Sequence, residues 1–143
     1  MTSSIFPDVN VWLALNHQIH VHHEAAMRWF TALDEIAVLV FCRQTQMGLF
    51  RLMTTEAVLG RDVITQRQCW AIYDRWIEGG KAILLAEPAG LGAGMRPRTS
   101  ADSPSPKTWA DAYLAAFAEA AHLTLATFDR ALAAKARESI LLG

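Results

Sequence analysis

Short apolar runs alternate with amphipathic helical windows along most of this chain. The run from Ile36 to Phe41 is β-branched and aliphatic throughout, which is typical of a strand buried on both faces of a sheet. Between such runs, apolar residues recur every three or four positions, as they do on a helix with one buried face. Strands separated by helices predict an α/β fold, with three α/β/α layers around a mostly parallel central sheet. The length of 143 residues predicts a single domain, residues 1–143.

The pattern also predicts where each element lies. The predicted strands cover residues 3–6, 36–41, 82–86, 123–127 and, at one edge, 140–142. The predicted helices cover residues 9–16, 20–34, 46–53, 65–78, 108–121 and 130–137. Residues 88–106 hold four of the five prolines and three of the eight glycines, with no periodic apolar pattern. We therefore expect a loop there, of a length that is often functional.

The cysteines and the apolar runs indicate the compartment. Cys42 and Cys69 lie in apolar surroundings without metal-ligand spacing, as buried free thiols do in a reducing environment. The longest apolar run has seven residues, whereas a membrane helix needs about 20. No signal peptide is evident, because the N-terminus lacks a basic region and Asp8 interrupts the first apolar stretch. We expect a soluble cytoplasmic protein with no membrane partner.

Three aspartates fall where the strands of such a sheet would end. Asp8 closes the first predicted strand, Asp129 follows the fourth, and Asp111 lies in the first turn of the helix before that strand. From Asp111 the helix runs outward for about 16 Å, and the following strand returns by roughly 20 Å. Ligands of open parallel sheets bind at the carboxyl ends of the strands. We therefore expect the three carboxylates to converge.

Each aspartate also has a purely structural interpretation, since all three can cap the N-terminus of a helix, which stabilises by about 1 kcal/mol. Three on one sheet edge favour a different explanation. Clustered carboxylates repel one another unless a cation neutralises them. An oxygen-only cluster suits Mg²⁺ or Mn²⁺, which can activate water and bind a phosphate. The pattern thus predicts a hard-metal site for phosphoryl chemistry.

Three motifs carry a family resemblance: residues 6–11 read FPDVNV, residues 109–116 read WADAYLAA, and residues 127–129 read TFD. In this order they resemble the acidic motifs of PIN-domain ribonucleases, and more narrowly those of the VapC toxins of bacterial toxin–antitoxin pairs. The likeness extends to residues 20–29 and 45–52. It implies a PIN-like fold and a homodimeric, Mg²⁺- or Mn²⁺-dependent endoribonuclease that a small antitoxin inhibits. Asp8, Asp111 and Asp129 match the family's catalytic, metal-binding acids.

One departure concerns the glutamate that the family usually has early in its third helix, where this chain has Gln46. An uncharged amide should weaken metal binding, and Glu56 lies nearly three helical turns further on. We expect a three-aspartate site, with Gln46 as an uncharged neighbour and with Asn10 and Thr127 orienting the carboxylates.

Basic side chains give the candidate RNA contacts, although for each one taken singly a solvated surface is the better explanation. They are Arg43, Arg51, Arg96, Arg98 and Lys107. The net charge of −1 argues against tight non-specific RNA binding, but cleavage through a metal needs local negative charge rather than a global positive one. The tryptophans mostly occupy apolar stripe positions and are expected in the core, although Trp109, beside Asp111, could instead stack on an RNA base or on an antitoxin side chain. The histidines at 17, 20, 22 and 23 lack zinc-site spacing and are expected at a solvated helix start.

Two other functions remain open. A phosphatase of the haloacid-dehalogenase type would use Asp8 as a covalent nucleophile, but it normally has a second acid where this chain has Asn10, and a late acidic pair that is absent here. A catalytically weak or inert PIN-like binding module would be consistent with Gln46.

Overall fold

A single five-stranded parallel sheet forms the centre of the molecule in a computed structural model that describes residues 4–143. The strands are β1 (Ser4–Pro7), β2 (Val38–Phe41), β3 (Ala82–Leu84), β4 (Thr124–Thr127) and β5 (Ser139–Leu141). Their order in the sheet is β3-β2-β1-β4-β5, and every neighbouring pair is parallel. The predicted α/β fold with a parallel sheet is confirmed; residue 3 of the first predicted strand lies outside the described residues.

Helices cover both faces of this sheet. They are α1 (Val9–Asn16), α2 (His23–Thr31), α3 (Arg43–Met53), α4 (Glu56–Leu59), α5 (Gln66–Glu78), α6 (Leu91–Arg98), α7 (Thr108–Ala120) and α8 (Arg130–Lys135), with a 3-10 turn at Gly60–Asp62. The first five helices contribute to one apolar core and the last three to another. No helix within residues 4–143 is long and apolar enough to cross a membrane.

Alternation along the central strands separates the two cores. On β1, Ile5 packs into the first core and Phe6 into the second, as expected when successive side chains point to opposite faces. Aromatic stacking fills both sides: the ring centroids of Trp12 and Phe41 are 3.8 Å apart in the first core. Those of Phe6 and Phe117 are 5.0 Å apart in the second. The central strands are therefore fixed from both faces.

The prediction of a loop over residues 88–106 is wrong, because α6 lies within it. Its glycines and Pro97 give it low intrinsic helix propensity. The helix forms against α7, where a Cβ at Gly94 would lie 3.2 Å from the Cβ of Ala116. Glycine permits this close approach, so tertiary packing overrides the local signal.

Several predicted boundaries also differ. Helix α2 begins at His23 rather than at residue 20, because the preceding residues form hydrogen-bonded turns, and it ends at Thr31 rather than at residue 34. Helix α3 begins at Arg43 rather than at Gln46, since Cys42 and Thr45 form a capping box there. The short α4 and the 3-10 turn were not predicted. Both cysteines are free and buried, as the sequence indicated.

Candidate active site at the carboxyl ends of β1 and β4

Asp8 is the first residue after β1, and its carboxylate is held on both oxygens. Its Oδ1 accepts a hydrogen bond from the backbone N–H of Val11 at 3.0 Å, which caps α1. Its Oδ2 accepts a hydrogen bond from the hydroxyl of Thr127, at the end of the neighbouring strand β4. The backbone N–H of Asp8 also donates to the carbonyl of Ala126 at 3.0 Å. The sheet and the helix cap therefore fix this side chain together.

Thr127 connects Asp8 to Asp129. The Thr127 hydroxyl oxygen accepts a hydrogen bond from the backbone N–H of Asp129 at 2.9 Å while it donates to Asp8. The Oδ1 of Asp129 caps α8 by accepting from the N–H groups of Ala131, at 2.8 Å, and Leu132, at 3.3 Å. Asp8 and Asp129 therefore cap their helices and also lie close together, as the sequence predicts for both.

Burial makes Asp8 an unusual carboxylate. The residue is 5% exposed, and this burial raises the pKa of its carboxyl group above the ordinary value of 3.8. Hydrogen bonds from Thr127 and from the backbone N–H groups of Val11 and Asn10 act in the opposite direction. The charge of nearby Asp129 raises the pKa further. A neighbouring cation would relieve both the desolvation and the repulsion.

Asp111 has a different partner. Its Oδ2 lies 3.0 Å from the ammonium group of Lys135, on α8. The side chains of this ion pair remain 25% exposed for Asp111 and 40% exposed for Lys135. Across residues 4–143, no group of three or more His, Cys, Asp or Glu side chains is placed to hold a metal ion. The structure thus brings two of the three predicted aspartates, Asp8 and Asp129, together and pairs the third, Asp111, with Lys135.

The donors nevertheless match a hard cation in their chemistry. Within the described chain, Oδ2 of Asp129 and Oδ1 of Asp111 accept no hydrogen bond. These oxygens, together with the buried carboxylate of Asp8, are the ligand type that Mg²⁺ and Mn²⁺ prefer. Assembly of all three around one ion requires Asp111 to move closer to the other two aspartates, and the ammonium group of Lys135 competes with the cation for its carboxylate.

Comparison with known proteins identifies the family. No protein-family model matches the chain. Ribonuclease VapC41 of Mycobacterium tuberculosis is 43% identical over 128 residues, which cover 87% of this chain and 88% of that protein. The chain belongs to the VapC ribonuclease family. Ribonuclease VapC29 of the same organism is 33% identical over 133 residues, covering 91% of this chain and 89% of that protein.

Two solved structures share the fold of this chain. VapC20 of Mycobacterium tuberculosis, described as a toxin that cleaves the sarcin–ricin loop, superposes with a TM-score of 0.63 at 18% identity. That match covers 91% of this chain and 93% of VapC20. FitAcB from Neisseria gonorrhoeae superposes with a TM-score of 0.55 at 22% identity, covering 96% of both chains. At these identities the two structures support the fold alone.

Gln46 stands where the VapC resemblance leads one to expect a glutamate, and its contacts are informative. It is buried on α3, and its Oε1 accepts a hydrogen bond from Nη1 of Arg43 at 2.6 Å. None of its hydrogen bonds within the described residues reaches an aspartate. Glu56 offers no replacement, since it is exposed and begins α4, a separate helix. Gln46 therefore positions an arginine in this structure.

Asn10, the other predicted neighbour of the carboxylates, contributes through its backbone. Its N–H group lowers the pKa of Asp8, while its side chain is exposed on the first turn of α1. Thr127 therefore remains the side chain that the structure places between two aspartates.

The predicted RNA contacts of this VapC chain divide into two groups. Four are exposed: Arg43, Arg51, Arg96 and Lys107. Arg98 is instead engaged within the protein, with Nη2 2.6 Å from Glu119 and Nη1 2.9 Å from the carbonyl of Gly94. Arg51 lies eight residues after the start of α3, or about 12 Å along the helix from the end of β2 that borders the site. Arg43 is thus better placed near the strand ends than Arg51.

Two contacts near the site could not be found from the sequence. One is the Asp111–Lys135 ion pair, which joins the first turn of α7 to the last turn of α8. The other is a stack of the His22 and Phe128 rings, whose centroids are 4.4 Å apart. Both depend on how helices pack rather than on spacing along the chain. Trp109 is 57% exposed, so the expectation that it packs in the core is wrong, and its stacking on a base or on an antitoxin side chain stays a prediction.

Proposed function

We propose that this VapC-family chain is a toxin ribonuclease that hydrolyses phosphodiester bonds within RNA, with Mg²⁺ or Mn²⁺ held by Asp8, Asp111 and Asp129. Family membership supports the ribonuclease activity, since the relatives that match most of the chain are ribonucleases. The name of VapC20 supports a toxin of this fold acting on RNA.

The observation that carries the metal proposal is the hydrogen-bonded series Asp8–Thr127–Asp129. A buried carboxylate with a raised pKa, beside a second carboxylate, destabilises the metal-free protein and is characteristic of functional sites. When bound, the cation would supply a water of lowered pKa and stabilise charge on the phosphate. The protein's contribution is to hold the carboxylates in a fixed arrangement before the substrate arrives.

Each side chain has a separate task in that arrangement. The Thr127 hydroxyl fixes the orientation of Asp8, and the first N–H groups of α8 fix that of Asp129. Lys135 balances the charge of Asp111 in the metal-free protein. Arg43, which Gln46 holds, provides an exposed guanidinium near the end of β2 for a phosphate of the RNA.

The test is a cleavage assay with purified protein, tRNA and rRNA, in Mg²⁺, in Mn²⁺ or in chelator. We expect cleavage that the chelator abolishes. Asp8→Asn should reduce cleavage by at least about 100-fold, because it removes a negative charge from the proposed metal site without changing the shape of the side chain. Asp74→Asn, an exposed position on α5, is the matched control and should cleave at the wild-type rate.

Full activity of Asp8→Asn, or cleavage in chelator, would contradict the proposed metal site. A wild-type protein that cleaves none of these RNAs under any metal condition would contradict the proposed activity itself.

We also propose an antitoxin protein as partner and a homodimer as the active form; both proposals rest on the VapC family membership. A short reading frame immediately upstream of the gene would support the first. Light scattering of the purified chain tests the second, and a monomer at all concentrations would contradict it.

A binding module without catalysis is the second candidate, and two observations favour it: Gln46 carries no charge, and Asp111 is paired with Lys135. Calorimetric titration with Mn²⁺ separates the two, since a folded protein that binds no Mn²⁺ would support the inert module. The phosphatase alternative gains no support, because Asn10 is exposed and the matching relatives are ribonucleases.

A further inference from the structure

An aromatic stack borders the carboxylates at the end of β4. The His22 and Phe128 rings lie 4.4 Å apart between centroids, with an angle of 15° between their planes. Phe128 is the residue between Thr127 and Asp129, so its Cα is about 3.8 Å from that of Asp129. His22 therefore reaches the edge of the proposed catalytic site although it belongs to a distant part of the sequence.

Both rings of this stack are anchored. Phe128 is half-buried and packs against the larger apolar core. His22 belongs to residues 17–22, here called the histidine loop, which joins α1 to α2. Backbone hydrogen bonds order the loop, from His20 N–H to the carbonyl of His17 at 3.0 Å and from His23 N–H to the carbonyl of His20 at 2.9 Å. The His22 N–H also donates to Nδ1 of His20 at 3.0 Å. A ring supported in this way loses little freedom when a ligand covers it.

The outer surface of the histidine loop is open to solvent. His22 precedes α2 at its N-cap position, but its side chain makes no capping hydrogen bond and is exposed. Ile19 and Val21 beside it are 74% and 86% exposed. One face of the imidazole lies on Phe128, and the His20 ring is 5.8 Å away between centroids at an angle of 41°. The exposed part of the imidazole remains open to solvent beside Ile19 and Val21.

Stacking is the chemistry that such a surface offers next to carboxylates. Apart from the phosphate that the proposed cation binds, the carboxylates repel backbone phosphates, so further affinity at this position has to come from contacts with the bases. Base stacking on aromatic side chains does not depend on charge and tolerates any sequence, and it is a common means of holding single-stranded RNA. A peptide could bury Ile19 and Val21, but it has no particular need for a flat ring backed by a second, parallel ring.

We propose that His22, supported by Phe128, stacks on one base of the RNA substrate beside the Asp8–Thr127–Asp129 series. This inference rests on the proposed ribonuclease function and adds a specific subsite to it. The histidine loop then selects for an unpaired nucleotide next to the bond that is cut, because a base within a duplex cannot turn onto the imidazole. His22 is in this sense a determinant of specificity rather than a catalytic residue.

The test measures the affinity of fluorescently labelled single-stranded oligoadenylate and oligouridylate in the Asp8→Asn background, where cleavage is blocked. We expect His22→Ala to weaken binding by about 5- to 100-fold, the range for loss of one stacked base. His22→Phe should retain most of the affinity, since it keeps the flat ring. His122→Ala is the matched control, because His122 is exposed near the start of β4, at the opposite edge of the sheet, and its loss should change affinity by less than twofold.

A second measurement separates stacking from a general effect on the loop. A series of RNAs, each lacking one base, is tested with and without His22→Ala. At the position that stacks on His22, removing both the base and the ring should weaken binding no more than removing either one alone. Additivity at every position would overturn the inference, as would equal affinities of the His22→Ala and His122→Ala proteins, or no binding by the Asp8→Asn chain.

The same proteins distinguish failure of this inference from failure of the proposed function. If wild type cleaves RNA and His22→Ala binds and cleaves identically, the stack is wrong and the ribonuclease proposal stands. If wild type cleaves no RNA, the proposed function fails first. Loss of antitoxin binding in His22→Ala with unchanged RNA affinity would reassign the histidine loop to a protein partner and overturn the inference.

Discussion

The two halves of the candidate site are constructed differently. Asp8 and Asp129 are joined through Thr127, whose side chain is fully buried between two neighbouring strands. Asp111 instead lies on the first turn of a helix and pairs with Lys135 across a partly exposed contact. The first half is fixed by strand register, and the second depends on the flexible side chain of Lys135.

This difference indicates a division of labour. Strand register fixes Asp8 and Thr127 to within a hydrogen bond of each other, so this half exists before any ligand arrives. The Asp111–Lys135 pair is a surface ion pair, a kind of contact worth about 0.2–1 kcal/mol, so it can be exchanged at little cost. In the proposed metal site, the buried half would therefore contribute most of the affinity, and the exposed half would adjust it.

Thr127→Val should have the largest effect on the site, because it removes the hydroxyl that connects Asp8 to Asp129 in the buried half. It leaves an oxygen of Asp8 and the N–H of Asp129 without their partner, which should lower the free energy of unfolding by about 1–3 kcal/mol. Metal affinity or cleavage should fall by about 10- to 100-fold, as for other residues that orient metal ligands. Thermal unfolding and Mn²⁺ calorimetry measure the two effects.

Thr124→Val is the control for that change, since Thr124 starts the same strand and its hydroxyl, within residues 4–143, donates one long hydrogen bond, to Glu138 at 3.4 Å. If both variants lost equal activity, the special position of Thr127 would be refuted.

Lys135→Met should act in the opposite direction and more weakly. Without the competing ammonium, Asp111 is available to a cation, and Mn²⁺ affinity should rise by about twofold to fivefold. Lys81→Met removes the same charge at the opposite edge of the sheet, just before β3, and should leave the affinity unchanged. An equal rise in both variants would mean that net charge, and not the ion pair, controls metal binding.

The smallest expected effect is on the stability of the metal-free protein. The raised pKa of Asp8 means that the folded protein holds this proton more tightly than the unfolded chain does. The resulting stabilisation is complete below pH 3.8 and is lost as the pH rises through the raised pKa. Asp8→Asn should therefore raise Tm at pH 7 by a few °C, where about 1 kcal/mol corresponds to about 3–5 °C.

The difference in Tm between Asp8→Asn and wild type should shrink as the pH is lowered toward 4, in chelator throughout. A difference that stays constant over this range would show that ionisation of Asp8 has no part in the effect.

Local sequence was sufficient for the buried half of the site. Asp8 and Asp129 could be found because each follows an apolar run and begins a helix, so the same carboxylate serves as a cap and as a neighbour of the next strand. Thr127 could be found because it ends the strand before Asp129. The parallel sheet followed from the alternation of strands and helices along the chain.

Contacts between separate helices and loops could not be predicted from local sequence. Helix α6 could not be predicted, because its glycines and Pro97 disfavour a helix locally, and the reason for Gly94, the close approach of Ala116 from α7, is visible only in the folded structure. Lys135 and His22 have no local feature that assigns them to Asp111 and Phe128, because both contacts are made between helices or loops far apart in sequence. The Arg43–Gln46 hydrogen bond is local, three residues apart on α3, and it was missed because that helix was predicted to begin only at Gln46.

The hydrogen bond between Asp8 and Thr127 joins residues that are 119 positions apart. During synthesis, Asp8 leaves the ribosome early, and its hydrogen-bond partner Thr127 is made only after nearly the whole chain has been translated. Any fragment that stops short of Thr127 carries the first carboxylate without the hydroxyl that orients it or the second carboxylate beside it. A translation product that lacks β4 therefore lacks the arrangement of side chains that we propose for catalysis.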